Sequence, residues 1–151
     1  NICPSKIIYT MKQPVKNFEK CLGDFREALI ELKELIEEIN LRGYHINYEK
    51  KLIRTFELTH ELALGTMGEY FRKQGRPPYS GSRDITIDAF HDELIDDGEG
   101  WLDMIIIRIK STPIYNEDTT KHLVRKILTH YVHLFENFQR KIEKKWEENF
   151  S

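Results

Sequence analysis

The chain holds 151 residues, 18.1 kDa, with 40% hydrophobic and 32% charged residues, a balance that fits one globular domain and excludes a collagen-like, disordered or disulfide-stapled chain. Lys+Arg 23 against Asp+Glu 25 gives a net charge of −2, so no global basic field points to DNA. The longest apolar run, Met104 to Ile107, stops at Arg108, far short of the ~18–20 residues that span a bilayer.

Asn1 to Gln13 lacks the apolar stretch of a signal peptide, and Cys3 and Cys21 form no ligand or redox pair, so the expected compartment is the cytoplasm. Met11 stands just before the first periodic segment and is read as the natural start or close to it. Residues 1–12 are then a poorly ordered leader, and 13–151 a single helical domain.

The first periodic segment is Phe18, Leu22, Phe25, Leu29, Leu32, Ile36 and Ile39, whose alternating steps of 4 and 3 lay one apolar stripe along a helix. Gly43 supplies its stop. A second helix is predicted from about Asn47 to Gln74, with Leu52, Phe56, Thr59, Ala63, Met67 and Tyr70 as its stripe and Ile53, His60 and Phe71 beside it. Gly65 and Gly68 inside it suggest close approach of another backbone. Gly75 to Gly81 is a loop rich in helix breakers. Ser82 is the expected cap of a third helix, Arg83 to Leu94, burying Ile85, Ala89 and Phe90.

Asp97 caps a fourth helix from about Glu99 to Ile109 in this reading. That helix is apolar nearly all round and should be buried on more than one side. A β-strand over Met104–Ile109 is the competing reading, since consecutive Ile favour strands, but no second strand exists elsewhere to pair with it. Ser111-Thr112-Pro113 ends this element, and Asn116 or Asp118 opens a last helix to about Glu148. Its faces are Val124, Ile127, Tyr131, Leu134, Phe138 and Ile142, with Leu128 and Phe135 adjacent. The expected fold class is therefore all-α: an antiparallel, up-and-down bundle of about five helices with a four-helix-bundle core.

Most catalytic signatures fail on inspection. His60-Glu61 opens like a zinc-protease helix, but the second histidine position is Leu64. His130 and His133 share a face without a carboxylate or cysteine cluster to complete a metal site, so no metal site and no resident cofactor is expected. There is no phosphate loop and no nucleophile elbow. Glu57 and Glu61 lie one helical turn apart, and two readings stay open for them: acid–base or cation-holding work, and a solvated helix face.

The informative stretches are Arg54-Thr55-Phe56-Glu57-Leu58-Thr59-His60-Glu61 and Ile95-Asp96-Asp97-Gly98-Glu99-Gly100-Trp101, followed by Arg108 to Tyr115. In this order they resemble the HEPN superfamily, and within it the branch of nucleotidyltransferase substrate-binding proteins, over about Phe18 to Ile142. The resemblance implies a helical bundle that forms homodimers and partners a small nucleotidyltransferase encoded nearby, the partner supplying the nucleotide and magnesium sites. It further implies a non-catalytic subunit that completes a substrate site, or the toxin half of a toxin–antitoxin pair.

Two departures from the family pattern stand out. Members often carry Trp where this chain has Leu64. The ribonuclease-type motif of the superfamily runs from Arg through a polar residue to His, with Tyr two positions beyond. Here Arg108 and Tyr115 keep register, but Ile109 and Pro113 replace the polar residue and the His. Proline moves no protons, so cleavage of RNA through this motif is not expected.

Tyr115 matches the tyrosine that some partners nucleotidylate, with a corner tyrosine packing its ring as the plain reading. Arg108 either binds an anionic phosphate or pairs with a carboxylate such as Asp103, Glu99 or Glu117. The site candidates are Arg108, Tyr115, Glu57 and Glu61, around a cleft bordered by helix two and the corner between helices four and five. A degenerate ribonuclease toxin and a plain dimeric scaffold are the alternatives.

Overall fold

The structure is a computed structural model that describes residues 17–110 and 116–150. The expected leader, 1–12, and the corner holding Pro113 and Tyr115 lie outside the described residues. Within them the chain forms α1 (Phe18–Arg42), α2 (Ile46–Lys73), α3 (Ser82–His91), α4 (Gly98–Lys110), α5 (Glu117–Lys126) and α6 (Val132–Phe150). A π-helical turn, Ile127–Tyr131, joins α5 to α6 without a break. No strand occurs among the described residues, and the Met104–Ile109 stretch is helical.

Helix α1 starts where the Asn17 side chain accepts from Lys20 N, and α2 where the His45 side chain accepts from Asn47 N. The two pack as an antiparallel hairpin, and α6 lies against both. The predicted stripes of α1 and α2 are buried in this seam, Ile36 alone being only partly covered. Aromatic rings fill the centre. Trp101 of α4, fully buried, sets its edge against Phe135 and Phe138 of α6 at centroid distances of 5.7 Å each. Phe25 meets Phe138 edge to face at 5.4 Å, and Phe56 stacks on Tyr131 at 5.3 Å. Full burial of one such side chain contributes about 1.5–3 kcal/mol relative to exposure, which fixes α4 against α6.

Several expectations need correction. Helix α3 stops at His91 rather than Leu94, because Glu93 takes a left-handed conformation, φ 64°, and the chain turns back. Leu94 N then donates to Ala89 O and Glu93 N to Phe90 O, a Schellman closure. Gly75 closes α2 in the same manner with φ 86°. Ser82 is the first helical residue and not the cap. The cap position belongs to Gly81, which offers no side chain.

Phe90 is 47% exposed and lies over Gly98, since the ten-residue α3 spends its buried face on Ile85, Thr86 and Ala89. No backbone closes on Gly65 or Gly68: a Cβ at Gly65 would meet nothing within 4 Å, and one at Gly68 only Ile85 Cδ1 at 3.5 Å. Finally, α4 buries Gly100, Trp101, Met104 and Ile107, while Ile106 and Ile109 face outward. One side of this apolar helix is covered by its own chain, and the other is not.

Candidate functional site

Helices α2 and α4 and the start of α3 enclose a cleft of about 310 Å³. Glu57, His60, Glu61 and Leu64 reach it from α2, Ile105, Arg108 and Ile109 from α4, and Ser82 from α3. The spacing explains the grouping. Glu57, Glu61 and Leu64 recur at i, i+4 and i+7, so they share one edge of α2 beside its buried stripe. Ile105, Arg108 and Ile109, at i, i+3 and i+4, likewise share one face of α4. Leu64 stands on the cleft wall.

Three of the four predicted site residues therefore meet: Glu57, Glu61 and Arg108. Tyr115 lies outside the described residues. Arg108 Nη1 is 3.0 Å from Glu61 Oε1, a pair in which the carboxylate side chain is 65% exposed. None of the suggested carboxylates Asp103, Glu99 or Glu117 is that partner. Five residues put Asp103 roughly 140° around α4 from Arg108, and nine put Glu99 on the opposite face. Asp103 instead accepts from Tyr131 Oη at 2.5 Å and lies 3.7 Å from Lys126 Nζ. That hydrogen bond and burial, burial foremost, push the Tyr131 phenol above its ordinary range. Glu117 sits 4.0 Å from Lys121 on its own helix.

A further partner of Arg108 carries no signal in the local spacing. His60 Nδ1 lies 2.9 Å from Arg108 Nη1, on a ring that is 1% exposed. Burial, and then the Arg108 charge, lower the imidazole pKa to about 3. His60 is thus neutral at any pH near 7. Its ring is parallel to Phe56 at 6.2 Å and tilted against Trp101 at 6.1 Å. The sequence carried only one hint of this role, a histidine sitting at the edge of a buried stripe and between two glutamates.

The cap pattern of α4 behaves as read. Asp97 Oδ1 accepts from Gly100 N at 2.9 Å, and Asp97 Oδ2 lies 3.2 Å from His130 Nε2. His133 pairs with Glu136 one turn on, at 3.0 Å. Cys21 is buried in α1. Among the described residues no group of three or more His, Cys, Asp or Glu stands where it could hold a metal ion, and no helix is long and apolar enough to cross a membrane.

Chemically, the cleft offers one guanidinium held from two sides, two carboxylates and an apolar wall. It can bind an anionic or polar ligand, and it presents no described group able to exchange protons as an imidazole does near neutrality. The family described as nucleotidyltransferase substrate binding protein like matches residues 20–144, nearly the whole of the described helices. No curated protein matches the chain.

Proposed function

Since the chain belongs to the nucleotidyltransferase substrate-binding-like family, we propose that it is a non-catalytic subunit that binds substrate for a small nucleotidyltransferase partner. The partner supplies the catalytic nucleotide and magnesium sites; this chain's α2–α4 cleft takes a phosphate-bearing substrate, for which ATP serves as the anionic probe. The observation that carries the reading is the Arg108 guanidinium, set at the cleft between buried His60 and exposed Glu61.

An exposed ion pair is worth about 0–1 kcal/mol, so a phosphate or carboxylate on a ligand can take the Glu61 carboxylate's place on the guanidinium fork at little cost. Glu57 and Glu61 then accept from hydroxyl or amino groups of the same ligand. The low pKa of His60 favours this binding role over the ribonuclease alternative, which needs a group that cycles its proton near neutral pH.

Two finer proposals rest on the resemblance. Tyr115 is the candidate acceptor if the partner nucleotidylates this chain. A second copy covers the outer face of α4, where Ile106 and Ile109 are 47% and 70% exposed. Calorimetric titration with ATP tests the central reading. Arg108→Ala should weaken binding about tenfold or more while the helical circular dichroism stays unchanged. Equal affinity in the variant, or no binding by the parent protein, removes the cleft from the proposal. Intact mass after co-expression with a small nucleotidyltransferase found to bind this chain tests Tyr115: whole nucleotidyl increments should vanish in Tyr115→Phe.

A further inference from the structure

The two contacts of Arg108 described above differ in kind. Glu61 meets the guanidinium from the solvent side, where its side chain is 65% exposed, while His60 meets it from the interior. A guanidinium nitrogen can only donate, so His60 Nδ1 is the acceptor and the ring hydrogen sits on Nε2. Nε2 is buried with no hydrogen-bond partner among the described residues, and the neighbouring Phe56 and Trp101 rings offer contacts that a phenyl group would make equally well. Packing therefore does not account for a histidine at this position. A buried donor without an acceptor costs stability, and the contact to Arg108 is what remains to explain the residue.

We propose that His60 is a positioning residue, whose neutral imidazole holds the Arg108 guanidinium at the cleft while the Glu61 carboxylate yields its place to the phosphate of a ligand. The proposal rests on the reading of Arg108 as the anion-binding group. The division of labour follows from solvent exposure. An ion pair at the surface exchanges readily, whereas a buried hydrogen bond to a charged group is strong and geometrically fixed. A neutral acceptor also leaves the full positive charge of Arg108 for the ligand, which a buried carboxylate in the same place would cancel. The depressed pKa of His60 keeps it in that neutral form throughout the range near pH 7.

Three substitutions separate the hydrogen bond from the ring. His60→Phe keeps a ring and removes the acceptor. His60→Asn keeps an acceptor at the position of Nδ1 and removes the ring. His60→Leu removes both. The direct measurement is the side-chain ¹⁵N resonance of the Arg108 guanidinium, assigned by its loss in Arg108→Ala. Rotation of its Nη groups is expected to be slowest in the parent protein and in His60→Asn, and measurably faster in His60→Phe and His60→Leu, where Glu61 still meets the guanidinium.

ATP affinity should follow the same order, about tenfold weaker in the two variants lacking the acceptor. A guanidinium as restricted in His60→Phe as in the parent overturns the proposal, and so does an affinity that follows the ring instead of the acceptor. If Arg108→Ala binds ATP as well as the parent does, the anion-binding reading fails by itself. The resonances then still decide whether His60 holds Arg108.

Discussion

Acidification should destabilise this protein through His60, and by an amount that the structure sets. The imidazole titrates at about 3 in the folded chain, against 6.5 for an unperturbed histidine, because it is buried and faces the Arg108 charge. The unfolded chain therefore binds a proton that the folded one refuses at every pH between those values, and stability falls as pH falls through that window. At 1.36 kcal/mol per unit, lowering the pH from 7 to 5 removes about 2 kcal/mol, nearly the same for any folded pKa below 4. Urea unfolding of the parent and of His60→Asn, followed by helical circular dichroism at pH 7, 6 and 5, isolates this contribution, because the other five histidines are common to both proteins. The difference in unfolding free energy should shift by about 2 kcal/mol against the parent across the series. Parallel pH profiles would refute the reasoning, by showing that the imidazole takes up its proton without leaving Arg108. Carboxylates act lower on the scale. A hydrogen bond from Lys141 holds the Asp96 carboxyl below its usual value, so its stabilisation is kept above about pH 3.9 and lost beneath it, equally in both proteins.

Glycines should respond in opposite senses. Gly65→Ala is expected to stabilise by up to ~1 kcal/mol in thermal unfolding, as its Cβ enters open space inside a helix. Gly100→Ala is expected to destabilise by about 1–3 kcal/mol, because its Cβ would lie 2.5 Å from Asp97 Oδ2 and 2.9 Å from Leu134 Cδ1. Glu93→Gly should raise stability by about 1 kcal/mol, relieving a left-handed residue at the close of α3; an unchanged melting temperature would mean that Asp92 and Leu94 hold the turn without strain. Ile106→Glu should leave the helical signal intact and shift sedimentation from a dimer to a monomer. A parent protein that already sediments as a monomer removes the second copy from α4.

How much of this architecture was legible depends on the range of the forces involved. The stripes of α1 and α2 repeat at the helical period over many turns, and burial of that period against a neighbour is the only stable solution, so both helices are readable to within a residue or two. Asp97 is readable for a different reason: a cap bonds a backbone group three residues away, and the sequence contains that whole interaction. The end of α3 is local as well, yet it misleads, because the left-handed residue that stops the helix is Glu93 and no glycine marks it. The π-helical turn at Ile127–Tyr131 leaves no mark in the periodicity, since its extra residue is absorbed between two adjacent apolar faces.

The cleft shows the same division. Glu57 and Glu61 are neighbours by helical spacing, and that much is written in the chain. Among carboxylates, sequence proximity offers Arg108 Asp103, Glu99 and Glu117, and the geometry of α4 turns Asp103 and Glu99 away from it. Two of its partners, His60 and Glu61, lie 48 and 47 residues earlier. Nothing local distinguishes a buried histidine that holds an arginine from one that fills space. The distinction lies in which nitrogen faces which group, and that is settled only when α2 and α4 pack. A residue whose burial leaves one nitrogen without a partner among the described residues and turns the other to a cleft arginine has a role tied to that arginine, and the rotation of the Arg108 side chain is where that role becomes measurable.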